Sequence, residues 1–233
     1  MKILASDFDN TIFYEDGEEK EKKNQKNIEA IRKFVTHGNI FCIITGRNYS
    51  DLKKFLDKYD IPYSYLICED GAKIFNNMDY CIETVLLDQT DIETIIPVLE
   101  DHHWDYYLDD GYNKTEYYGD CVKIVVNCSN DLEKERIVKT IKETLDIHIY
   151  ASRTHVNIIH KSVNKENALK KLFNMEQLNY HLLHVIGDND NDYEMLKAFP
   201  GAVIKNHHEK LNSLKKEEYD TLCDYIEYLM NHD

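Results

Sequence analysis

The chain has 233 residues, of which 42% are hydrophobic and 11% aromatic, enough apolar material for a full core without a disulfide or metal staple. Asp and Glu outnumber Lys and Arg by 43 to 28, a formal net charge of −15, which repels phosphate backbones and anionic headgroups and sets aside nucleic-acid and membrane-surface partners. The six cysteines are scattered without a CxxC pair, and Asp7 and Asp9 stand where a leader needs its apolar stretch, so the expected setting is the reducing cytoplasm, with a monomer or weak homo-oligomer as the expected state.

In chain order, KILASDFDNTI reads as a buried strand running into an acidic loop. The charge run EDGEEKEKK at 15–23 reads as a solvated loop, a flap near a hinge. Residues 24–37 place Ile28, Ile31, Phe34 and Val35 at helical spacing, with Gly38 as the stop. IFCIITGR is a second strand ending at Thr45-Gly46, residues 48–59 a second helix, and YSYLICEDGA a third strand ending at Asp70-Gly71. Strand-helix alternation with near-continuous apolar strands predicts a parallel sheet covered on both faces. After about residue 78 the rhythm changes. A helix over 89–102 with Pro97 inside it, Tyr-rich strands across 104–118, the strand CVKIVVNC, the helix DLEKERIVKTIKETL and strands at 147–151 and 155–160 make an α-β-β-α-β-β pattern. From Asn164 the first rhythm resumes: a helix over 164–178, the strand LLHVIGD, a helix over 190–198, the strand GAVIK and two terminal helices. The expected fold class is α/β. A Rossmann-like parallel core with helices on both faces comes from residues 1–78 and 162–233, and residues 79–161 are inserted as an α+β cap.

The chemistry concentrates where core strands end. Asp7 and Asp9, two apart on an extended segment, face one crevice at the carboxyl edge of the sheet, where open α/β sheets bind ligands. Like charges that close raise each other's pKa unless a cation sits between them. Asp188, Asp190 and Asp192 follow another core strand. They are not a calcium loop, because Tyr193 stands at the turn-glycine position and Phe199 at that of the bidentate Glu. A sheet-edge Mg2+ site, held by a few carboxylates, waters and a substrate phosphate, fits better. Thr45-Gly46 offers a hydroxyl and free N–H groups to phosphate oxygens. Lys165, just after the Asn164 cap, puts a cation at a helix N-terminus against the macrodipole, a placement that carboxylates and phosphate would explain.

Asp7-x-Asp9-x-Thr11, Thr45-Gly46-Arg47, Lys165 and Gly187-Asp188-x-x-Asn191-Asp192, in this order and in these strand contexts, resemble the four motifs of the haloacid dehalogenase (HAD) phosphatase superfamily. CEDGA at 68–72 resembles its Asn-Gly-Ala segment, with Asp70 in place of Asn, and the insertion is similar to the cap of the Cof-like hydrolase branch. The resemblance implies a Mg2+-dependent phosphatase of small phosphorylated metabolites such as sugar phosphates. Asp7 would be the nucleophile that forms an aspartyl phosphate, and Asp9 the general acid and then base. Thr11 would hold Asp9, and Thr45 and Lys165 would bind the phosphoryl oxygens. Asp7, Asp188 and the Asp9 carbonyl would ligate Mg2+, Asp192 would orient a metal water or Lys165, and Asn191 would touch the phosphate. Asp190 is read as solvated. Gly46 and Arg47 are further substrate candidates, Arg47 alternatively pairing with a surface acid. Arg153 and Asn157 are cap candidates, because that stretch faces the active site in the resembling branch. Asn10 replaces the family's usual Gly, and Asn tolerates the left-handed backbone such a turn needs. A phosphomutase on the same fold and a non-enzymatic phospho-receiver or metal-binding domain are the alternatives.

Overall fold

In the computed structural model, residues 1–15, 17–151 and 154–232 are described. Strand β1 (Ile3–Ser6) is buried at every position, as a central strand must be. Helix α1 (Glu18–Thr36) starts before the expected Asn24, so most of the run read as a solvated flap is helix. The reason is electrostatic: Glu18, Glu19 and Glu21 lie in the first turn, where the macrodipole favours acids. Strand β2 (Ile40–Ile44), helix α2 (Tyr49–Tyr59) and strand β3 (Tyr65–Cys68) follow as expected.

The next two strands were not expected. β4 (Lys73–Asn76) and β5 (Cys81–Thr84) form an antiparallel hairpin that extends the core sheet past β3. The core therefore keeps the chain beyond residue 79, where the cap was expected to begin. Helix α3 (Gln89–Asp101) tolerates Pro97 because that residue lies on its exposed side, where water serves the carbonyl left without its N–H partner. Strands β6 (Tyr106–Asp109), β7 (Lys114–Thr115) and β8 (Lys123–Asn127), helix α4 (Asp131–Thr144) and strands β9 (His148–Ala151) and β10 (His155–Ile159) complete the insertion. Helix α5 (Lys165–Met175), strand β11 (Leu183–Gly187), helix α6 (Tyr193–Ala198) and strand β12 (Gly201–Ile204) return to the core. Of the two terminal helices expected, the first is a 3-10 turn at Glu209–Leu214 followed by an edge strand, β13 (Glu217–Tyr219). The second is α7 (Leu222–Asn231).

Among the described residues the core sheet runs β13-β12-β11-β1-β2-β3-β4-β5 and is parallel up to β3. Side-chain alternation divides its apolar residues between two faces. Leu4, Phe41, Ile43 and Leu66 pack under α1, α2 and α7, while Ala5, Cys42, Ile44 and Ile67 pack under α5 and α6. Pairing of Ser6 with Ile186 and Ile43 aligns the carboxyl ends of β1, β11 and β2, so the loops after them meet.

The cap sheet is antiparallel, in the order β7-β6-β8-β10-β9. Leu108, Ile124, Val126, Val156 and Ile158 bury one face beneath α3 and α4. The register gives the other face two rows, Tyr107–Val125–Asn157–Tyr150 and Asp109–Lys123–Ile159–His148. The second row meets the core. Ile159 packs with Ala72, Val122 and Val163, the His148 ring nitrogen Nδ1 lies 2.6 Å from the Val163 carbonyl oxygen, and Lys123 pairs with Glu69. The β6–β7 loop adds a further contact. Its Tyr112 lies 5.8 and 5.9 Å, ring to ring, from Tyr49 and Phe75, with the Lys73 ammonium 3.9 Å from its centroid.

Candidate active site

Asp7 follows β1 directly, and its backbone N–H still donates to the Ile186 carbonyl at 3.0 Å, so the side chain leaves the sheet in a fixed direction. Lys165, the first residue of α5, is buried and donates to Asp7 Oδ1 and Asp192 Oδ1, both at 2.6 Å. The helix is capped by the Asn164 side chain, which accepts from Asn167 N at 2.8 Å, and the cation at its positive end is compensated by the two carboxylates. The other Asp192 oxygen accepts from the backbone N–H groups of Asp188 and Asn189 at 2.9 and 3.0 Å. Gly187 permits this, since a Cβ there would fall 2.9 Å from that of Asp192. Thr11 donates to Asp188 Oδ1 at 3.1 Å, so it steadies Asp188 rather than the expected Asp9.

Asp9 belongs to Arg47. The guanidinium donates from Nε at 2.8 Å and from Nη2 at 2.6 Å, one to each carboxylate oxygen, and lies 4.7 Å from the Phe55 ring centroid. The turn between Asp9 and Thr11 survives the loss of glycine because Asn10 takes a left-handed φ of 58°. Thr45 is buried at the end of β2, and its hydroxyl accepts from the Arg47 N–H at 3.2 Å. The β3–β4 loop carries Glu69, Asp70 and Gly71 at φ of 54°, 55° and 116°, three successive left-handed residues. A Cβ on Gly71 would sit 2.7 Å from the Asn164 carbonyl oxygen, so this loop is locked onto the cap of α5. Asn191, expected on the phosphate, donates to Asp70 Oδ1 at 2.8 Å.

Oxygens of Asp7, Asp188 and Asp192 lie within 4.8 Å of one another. Burial, reinforced by Asp192 and Asp188 and opposed by Lys165, holds the Asp7 carboxyl well above the usual carboxylate range. Burial and Asp192 push Asp188 up to about 7. At Lys165 burial works against the charge, but Asp192 and Asp7 outweigh it and keep the ammonium protonated. One lysine thus faces more negative charge than it can neutralise. An oxygen-only donor set with excess charge fits a hard divalent cation. Asp192 already spends both oxygens on protein donors, which leaves Asp7 and Asp188 better placed to ligate.

The haloacid dehalogenase-like hydrolase profile matches residues 4–118 and 106–224. The chain belongs to this family. The hydrolase is 26% identical over 217 residues to a phosphoglycolate phosphatase of Archaeoglobus fulgidus, covering 90% of this chain and 86% of the relative. Its fold superposes on a HAD/COF-like hydrolase of Plasmodium vivax with a TM-score of 0.84 at 16% identity, over 99% and 96% of the two chains. It also superposes on the HAD subclass IIB sugar phosphatase BT4131 with a TM-score of 0.75 at 14% identity, over 99% and 98%.

The two cap candidates of the hydrolase fare differently. Arg153 lies outside the described residues. Asn157 is on the open face of the cap sheet, opposite Tyr150. Tyr150 itself escaped the sequence reading, although it alternates with the inward Ile149 and the strand was foreseen. With Asp70, Asn191 and Lys165 it borders a cavity of about 510 Å³ between cap and core. Burial pushes its phenol up, and Asp70 adds to the effect. Glu69 and Lys123, a buried pair joining core to cap, also escaped it. Asp190 is not simply solvated, since it pairs with Lys210. The described residues contain no helix long and apolar enough to cross a membrane.

Proposed function

We propose that the hydrolase is a Mg2+-dependent phosphatase of small phosphorylated metabolites, sugar phosphates or similar phosphomonoesters, acting by double displacement on Asp7. The carrying observation is the buried Lys165 ammonium at 2.6 Å from both Asp7 and Asp192, with Asp9 two residues on and gripped by Arg47. Lys165 fixes the nucleophile Oδ1 and supplies positive charge where the phosphoryl oxygens gather. Thr45 and Gly46 add a hydroxyl and a backbone N–H, and Asn191 an amide. Arg47 is a positioning residue that sets Asp9 beside the leaving oxygen.

In the first displacement an Asp7 oxygen bonds to phosphorus, the bond to the leaving alkoxide breaks, and Asp9 gives that oxygen its proton. In the second, Asp9 takes a proton from water, the water oxygen bonds to phosphorus, and the Asp7–phosphorus bond breaks to release phosphate. Asp7, Asp188 and the Asp9 carbonyl would hold Mg2+, whose chemistry is neutralisation of the phosphate charge in this acidic crevice. The insertion, entered and left near residues 85–88 and 160–164, is the cap that closes over the site and sets the leaving group. Six free cysteines, several of them buried, are compatible with a reducing cytoplasm.

Phosphate release from a panel of metabolite phosphates, with and without Mg2+, tests this reading. Asp7→Asn is expected to lower turnover at least about a thousandfold with an unchanged circular dichroism spectrum. Turnover by that variant at the wild-type rate would remove Asp7 as nucleophile.

A further inference from the structure

The cavity between cap and core is unevenly equipped along its length. At its inner end the core side offers Asp70, Asn191 and Lys165, and the cap side offers Tyr150. The Asp70 carboxylate lies against the backbone of the β2 loop: a Cβ built on Gly46 would fall 3.1 Å from each of its oxygens. It therefore borders the N–H groups assigned above to phosphate. One oxygen accepts from Asn191 at 2.8 Å, and among the described residues the other has no hydrogen-bond donor.

The cations of the cavity do not answer this charge. The Lys165 ammonium is committed to Asp7 and Asp192, and Lys210 is paired with Asp190. Lys142, the other cation in the wall, is exposed on α4. Beside the Lys165 that holds Asp7, the described residues at this end of the wall present an acceptor carboxylate, a carboxamide and a phenol, and the one cation among them is committed to Asp7 and Asp192.

We propose, building on the phosphatase reading, that Asp70 and Tyr150 select phosphomonoesters with a neutral, hydroxyl-bearing leaving group over those whose leaving group is itself anionic. A substrate hydroxyl donates to the open oxygen of Asp70 and exchanges a hydrogen bond with the phenol of Tyr150, which can donate or accept. A second carboxylate or phosphate at the same place meets Asp70 as a like charge, a juxtaposition that works against the wrong ligand. The residue that replaces the family's usual Asn is then a specificity residue: Asn would keep the shape and lose the repulsion. The relative that is a phosphoglycolate phosphatase supplies the contrast, because phosphoglycolate carries a carboxylate one carbon from its ester oxygen.

The test is kcat/KM of the full chain with Mg2+ on sorbitol 6-phosphate, phosphoglycolate and p-nitrophenyl phosphate. The wild type is expected to favour the polyol phosphate over phosphoglycolate by at least about tenfold. Asp70→Asn is expected to narrow that ratio about tenfold, chiefly by raising the phosphoglycolate value. Tyr150→Phe, which keeps the ring and removes the hydroxyl, is expected to lower the polyol value about three- to tenfold. Phosphoglycolate turned over as well as the polyol phosphate by wild type would overturn the proposal. So would an unchanged ratio in Asp70→Asn or, should that variant not fold, in Tyr150→Phe. Hydrolysis of p-nitrophenyl phosphate in those cases would leave the phosphatase reading standing, and hydrolysis of no ester at all would overturn both.

Discussion

A buried ammonium repays its lost hydration only when its partners are close and themselves satisfied. Lys165 meets that condition, between two carboxylates of which one is further held by two backbone N–H groups. Lys123 meets it less well. Its partner Glu69 is more deeply buried, and among the described residues the second carboxylate oxygen, Oε1, has no hydrogen-bond partner. Burial pushes the Glu69 carboxyl up to about 7, against the pull of Lys123. The folded chain therefore holds a proton on Glu69 that the unfolded chain has released, between about 4.5 and about 7. This group's contribution to stability falls as pH rises through that window. Lys123→Met removes the cation that favours the ionised form. The variant is expected to lose about 3 kcal/mol at pH 8 and distinctly less at pH 5, where Glu69 is neutral. Urea unfolding at the two pH values measures the difference, and an equal loss at both would show that Glu69 does not ionise in the fold.

Among the elements, the β6–β7 loop is the least expected anchor. Tyr112 reaches out of the cap and seats beside Tyr49 and Phe75 under the Lys73 ammonium. Ring contacts and a cation over an aromatic face are each worth about 1 kcal/mol. Tyr112→Ala is expected to destabilise the chain by about 2 kcal/mol and to speed proteolysis near residues 85–88 and 160–164, read by timed digestion. The Tyr-rich stretch was foreseen partly as cap-sheet packing and partly as pocket lining; its docking onto the core could not be read, because period-two alternation says which residues share a face and not what lies opposite. The parallel strands and the helices with apolar stripes were legible for the complementary reason, that burial on two faces writes itself into the chain as continuous apolar runs. β5 and β13 were not. Cys81–Thr84 and Glu217–Tyr219 are short edge strands with mostly exposed side chains, so they carry no burial signal. The start of α1 was hidden likewise, in charges that favour a helix terminus and solvent equally. At the site, the gathering of Asp7, Asp188, Asp192 and Lys165 was legible because the acids follow two core strands and the lysine opens the helix after the insertion. Who holds whom was not: Thr11 on Asp188 and Arg47 on Asp9 depend on loop geometry.

Across the whole molecule, the net charge of −15 has two unequal parts. Most of the acids are solvated and keep chains apart. The few at the sheet edge are crowded together in low dielectric, and on the proposed reading the native state binds a divalent cation that an open chain would not. Mg2+ at about a hundred times its dissociation constant is expected to stabilise the fold by about 2.7 kcal/mol, a rise of several degrees in Tm. Asp188→Asn should abolish most of that rise. Differential scanning calorimetry with Mg2+ and with EDTA checks both statements, and an identical Tm in the two would remove the cation from the site.

The pairing of Ile3 with Leu183 places about three quarters of the chain between two neighbouring strands. During synthesis, β1 emerges first and finds β2 within a few dozen residues, but its other edge stays open until β11 leaves the ribosome. An apolar strand with one bare edge is a template for pairing with the wrong chain. The nascent protein must therefore carry its central strand half-paired through the making of the entire cap, and the cap can fold on its own local contacts in that interval. The active site comes into being only then, when the loop after β11 brings Asp188 and Asp192 beside Asp7.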